Sequence, residues 1–69
     1  MRRPSTPEGM TSADHYRASR YEAARSAYFG AECGWEERAN ECLSKSVWHA
    51  EMAAKLELAE AAEAALAAA

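Results

Sequence analysis

From Trp35 to Ala69 the chain contains neither proline nor glycine, and no other feature limits its folding so strongly. An unbroken stretch rich in alanine, the best intrinsic helix former, specifies one long helix. Glu36 and Glu37 fall in its first turn, where the helix dipole favours acids. The expected span is 35–66, about 45 Å at 1.5 Å per residue.

The apolar residues of this segment fall into two lines. Leu43, Val47, Ala50, Ala54, Leu58, Ala61 and Ala65 form one stripe, and Trp48, Met52, Leu56, Ala59 and Leu66 form another, roughly 140° round the helix. One stripe can cover a companion helix. The second has no partner inside a two-helix chain and calls for another molecule, so Trp48, Met52, Leu56 and Leu66 are the expected protein-interaction residues.

The companion precedes it. Thr11 is placed to cap a helix, and Asp14, three residues on, to complete a capping box while its charge complements the dipole. From Ala13 to Phe29 there is no breaker, and Tyr16, Ala23, Ala24, Ala27 and Tyr28 recur at helical spacing. The first helix is expected over 12–29. Gly30 and Gly34 then mark the turn, since glycine just past a periodic segment is the common left-handed stop. A helix continuing through both would lose about 1 kcal/mol per glycine relative to alanine. Residues 1–10, with both prolines and a glycine among Ser, Thr and Arg, read as a disordered arm. The fold class is thus all-α: a helical hairpin domain over 11–69 behind that arm.

Such a hairpin is short of core. Eighteen of its 69 residues are alanine, and the larger aliphatic side chains include only four leucines and one valine. A chain this small buries a low share of its surface. Self-association is the natural remedy, and two hairpins closing into a four-helix bundle are its simplest form, a homodimer. Charge is polarised as well. Residues 1–30 carry +2 and residues 31–69 carry −5, which favours antiparallel pairing of the halves. Two cysteines are too few for a disulfide framework and fit a reducing compartment. The amino terminus lacks the apolar core of a signal peptide, and Glu57, Glu60 and Glu63 interrupt the only candidate membrane span. The expectation is a cytoplasmic protein without a membrane partner.

Few chemistries suit these residues. His15, Cys33, Cys42 and His49 could ligate a soft metal, yet no CxxC or HxxxH pair occurs. The same four could form a Cys-His nucleophile pair, but no glycine-rich oxyanion loop or second domain exists to make a cleft. No catalytic residue, metal or cofactor is therefore expected, and the protein reads as a non-enzyme. Arg17, Arg20 and Arg25, set among Tyr16, Tyr21 and Tyr28, resemble a stacking and phosphate-binding surface. Arg17, Arg20, Tyr21 and Arg25 are the contacts of an alternative nucleic-acid reading. The competing expectation is that these arginines pair with glutamates of the second helix while their stems pack on tyrosine.

Two stretches look familiar. "SADHYRAS", residues 12–19, is similar to an S/T-A-E-H-Y-R-x-A opening, and "HAEMAA", residues 49–54, to an H-A-x-L-A-x-A run. Both occur in small helical proteins of uncharacterised role encoded by actinobacteria and their phages. The resemblance implies a non-enzymatic accessory protein that acts through a host or phage protein, in the host cytoplasm when phage-encoded. It places His15, Tyr16, His49 and Ala50 in the motifs, where they read as hairpin packing residues. The functional expectation is a protein-binding accessory protein that self-assembles through its second helix.

Overall fold

The computed structural model describes residues 9–69, so the arm expected over residues 1–10 lies mostly outside the described part. The chain is an all-α helical hairpin. Helix α1 spans Ser12–Ala27, one π-helical turn follows over Tyr28–Glu32, and helix α2 spans Glu36–Ala68. Both expected helices are present within two residues of the expected ends. No described helix is long and apolar enough to cross a membrane.

α1 begins at the expected capping box. The Asp14 backbone N–H donates to the Thr11 hydroxyl at 3.2 Å, and the Thr11 N–H donates to the Asp14 carboxylate at 3.0 Å. Two of the helix's orphan donors are thereby satisfied. The two glycines divide the work of the turn. Gly30 does not stop the helix; it lies inside the π-helical turn, and a Cβ built there would meet the Ala39 Cβ at 3.5 Å. Gly34 makes the reversal, with φ of 70°, a left-handed conformation that costs other residues about 1–2 kcal/mol. Around it the Trp35 N–H reaches back to the Phe29 carbonyl at 2.8 Å, a Schellman-like closure widened by the π turn.

The two helices meet along a line that apolar periodicity does not reveal. On α2, Ala39, Cys42, Ser46 and Ala53 are buried, with His49 and Leu56 half-buried between and beyond them. Their spacing alternates three and four, the antiparallel bundle pattern. On α1 the facing residues are Ser12, His15, Ser19 and Ser26. Each makes a cross-helix hydrogen bond: the Ser12 hydroxyl to the Glu60 carboxylate at 2.6 Å, His15 Nδ1 with His49 Nδ1 at 2.8 Å, the Ser19 hydroxyl to the Ser46 carbonyl at 2.8 Å, and the Ser26 hydroxyl to the Ala39 carbonyl at 2.7 Å. The Ser46 hydroxyl returns a bond to the Ser19 carbonyl at 2.8 Å. Bonds from side chain to opposite backbone require short interaxial distance, which only small residues permit.

The expected covering stripe is therefore corrected. Leu43, Val47 and Leu58 remain 50%, 52% and 76% exposed and do not cover α1. By the helical period the contact line lies between the two stripes, leaving one on each flank of the hairpin, about 100° from the seam. Small size decides which strip packs; side-chain apolarity decides which strips are left outside.

Candidate functional site

The outward flanks of α2 leave large apolar side chains exposed. Among the described residues the buried apolar side chains are Ala39, Cys42 and Ala53, whereas Leu43, Val47, Trp48, Leu58 and Leu66 are all exposed. Of the four expected interaction residues, Trp48 is 43% and Leu66 78% exposed, while Met52 and Leu56 are half-buried. Trp48 also packs against the seam, its ring edge-on to His15 with centroids 5.7 Å apart. Leu66 stands beyond Glu60, the last residue of α2 bonded to α1, so α1 offers it no cover.

The two expected histidines come together, but as a pair within the seam. His15 is fully buried; its Nδ1 faces that of His49, so one ring donates and the other accepts. In either tautomer His15 Nε2 has no partner among the described residues. Burial lowers the pKa of His49 and the neighbouring His15 lowers it further, against an opposing pull from Glu22. Cys42 is buried in the same seam, while Cys33 sits half-buried at the turn; both are free thiols. No group of three His, Cys, Asp or Glu side chains is placed to hold a metal ion among the described residues. A depression of about 520 Å³ beside the turn is lined by Gly34, Trp35, Glu36, Glu37 and Arg38. It brings together no nucleophile and base.

The arginines are held locally, which corrects the expectation that they pair with α2. Arg17 bonds Asp14, and Arg25 bonds Glu22 at 3.2 Å, both one turn away on α1. The Arg25 guanidinium also lies 5.5 Å from the ring centres of Tyr21 and Phe29, and Arg38 of α2 lies 6.0 Å from Phe29 on the same side. Stacking of arginine on tyrosine was legible in the sequence; the choice of acids was not. Arg20 makes no ion pair among the described residues. Arg17, Arg20, Tyr21 and Arg25 fan across about 140° of the helix surface and do not converge on one line. Across the seam, the Glu57 carboxylate raises the pKa of Tyr16 by hydrogen bonding and charge, which places these two residues on one flank.

Comparison with protein families, curated proteins and solved structures finds no match.

Proposed function

We propose that this protein acts by binding other protein surfaces, without chemistry of its own, through the apolar flanks of α2. One observation carries the reading: a hairpin whose buried seam is made of serine, histidine, cysteine and alanine leaves Leu43, Val47, Trp48, Leu58 and Leu66 facing outward. Exposed apolar surface of this extent on a small chain marks an interaction site. Trp48, Met52 and Leu66 form the flank offered to a foreign protein, with Leu56 half-buried where that flank meets the seam. Tryptophan and methionine suit adaptable contacts, being large or flexible at low specificity. A host or phage protein is the partner that the resemblance of residues 12–19 and 49–54 implies.

The nucleic-acid reading has less behind it, because Arg17 and Arg25 are already paired with carboxylates. Retention experiments set the two against each other. Tagged protein should retain a discrete set of protein partners from a host extract. Trp48→Glu with Met52→Glu should abolish that retention, and Arg17→Gln with Arg20→Gln and Arg25→Gln should leave it intact. Salt-sensitive retention of DNA, lost with the arginine variant and kept with the tryptophan variant, would overturn the proposal.

A further inference from the structure

We infer that the flank of Leu43, Val47, Ala50, Ala54 and Leu58 is the seat of a second copy of this chain, docked so that α1 of each hairpin lies on α2 of the other. The inference rests on the protein-binding reading and assigns the two flanks different occupants.

The stripe on this flank is continuous and uncharged, with Glu57 at its seam edge. Leu43, Val47, Ala50, Ala54, Leu58, Ala61 and Ala65 follow one another at spacings of four and three, and none is charged. The line runs about 33 Å along α2. By the helical period Tyr16, Ala23 and Ala27 form the line of α1 that borders it across the seam from Ser12, His15, Ser19 and Ser26. Alanine on both helices permits the close approach that the hairpin itself uses. Over the 16 residues of α1, about 24 Å, the surface is two helices wide at about 10 Å each, roughly 480 Å² of footprint per partner, in the range of the smaller specific interfaces. The opposite flank is different in kind. It carries the Arg25, Phe29 and Arg38 cluster and the Glu22 carboxylate beside His49, so a flat apolar docking there would strand charge.

Charge then chooses the occupant and its orientation. α1 has three arginines against two acids, and α2 has seven glutamates against three basic residues. A two-fold axis perpendicular to the helices would lay α2 on α2 and oppose two acidic rods. An axis parallel to the helices lays the basic α1 on the acidic α2 of the other copy, with every neighbouring pair of helices antiparallel, as in a four-helix bundle. It also preserves height along the bundle. Ser19 meets Ser46 within one hairpin, so Arg20 stands near the level of Lys45 of the second copy, about 9 Å below its Glu51. Both side chains lean toward the amino terminus of their own helix, and in antiparallel helices that brings them toward each other. Arg20, the α1 arginine without an ion pair among the described residues, gains one.

Light scattering and sedimentation equilibrium at micromolar concentration test this, with circular dichroism to confirm helix content. The unaltered chain should be a dimer. Leu43→Glu with Leu58→Glu should weaken it by at least tenfold, and the milder Leu43→Gln with Leu58→Gln should weaken it while the helices persist. Arg20→Glu alone and Glu51→Arg alone should each weaken the dimer several-fold, and the double exchange should recover it. A dimer untouched by the leucine changes but lost with Trp48→Glu would overturn this arrangement and leave the binding reading standing. A monomer that captures a foreign protein would do the same. Failure of the double exchange to recover association would reject the parallel axis. A monomer that captures nothing would overturn both.

Discussion

The seam between the helices and the flanks beside it have the reverse of the usual composition. The seam buries His15 and Ser46 completely or nearly so and fills the rest with Ala39, Cys42 and Ala53; the flanks hold Leu43, Val47 and Leu58 at half exposure or more. Hydrophobic burial scales with apolar area, so the seam contributes little driving force. Its work is registration. Serine hydroxyls bonded to opposite carbonyls and a histidine pair at 2.8 Å are satisfied at one alignment of the helices, and a shift of one turn would leave buried polar groups without partners. The flanks have area without alignment. One surface holds the two helices at one setting, and the others leave apolar area exposed.

The sharpest way to break this contrast is to place the same bulk in both settings. Ala53 has no exposed surface, and Ala62 lies on the outer face of α2. Ala53→Leu should cost about 1–3 kcal/mol, because the added methylenes have nowhere to go in a closely approached seam. Ala62→Leu should stay within about 0.5 kcal/mol. For a domain of this size about 1 kcal/mol moves the Tm by roughly 4–8 °C, so thermal circular dichroism separates the two. Equal effects would mean that the seam is not tightly packed.

The histidine pair offers a second way to probe the seam. Burial and the neighbouring His15 hold the His49 pKa below the usual 6.5. The folded state therefore binds fewer protons than the unfolded chain, and stability falls as the solution is acidified. It is full above about pH 6.5 and declines as pH drops through that value toward the folded pKa. Glu22, the charged group acting on His49, opposes the decline without cancelling it. A second decline should begin near pH 4.5. The Ser12 hydroxyl and N–H hold Glu60 below its usual 4.5, and the Thr11 N–H, with Arg17, holds Asp14 below 3.8, so the stability each contributes fades as pH falls from those values through the lowered ones. Melting curves from pH 8 to pH 3 should show both steps, and His49→Gln should erase the first. A flat profile between pH 7 and pH 5 would show that the pair carries no protonation penalty.

Much of this architecture was legible in the sequence, for local reasons. The Thr11 and Asp14 box, the acidic start of α2 and its freedom from breakers depend on neighbours a turn away, so their outcome follows from the residues themselves. The contact line is not legible in apolar periodicity, because α1 packs on a strip of α2 set by small size and not by apolarity. Ala39, Cys42, Ser46, His49 and Ala53 share the three-four spacing; reading small residues of either polarity on α2 and the Ser12, His15, Ser19, Ser26 line on α1 would have exposed it. The arginine partners were missed for the opposite reason. Global charge asymmetry suggested pairing between helices, and acids one turn away on α1 were nearer.

The two glycines give the finest comparison, since four residues apart they answer the same substitution in opposite ways. Gly34 has φ of 70° and open space around its missing Cβ, so alanine there meets no neighbour and suffers only backbone strain. Gly34→Ala should destabilise by about 1–2 kcal/mol. Gly30 has no left-handed φ, and a Cβ at that position touches the Ala39 Cβ at an ordinary 3.5 Å. Gly30→Ala should stabilise by about 0.4–1 kcal/mol, because alanine restricts the unfolded chain and fits the folded one. Melting curves of both variants beside the parent are the measurement. Destabilisation by Gly30→Ala would show that α1 and α2 approach more closely at the turn than 3.5 Å allows. Neutrality of Gly34→Ala would show that the reversal tolerates another backbone conformation, and with it a different setting of the seam.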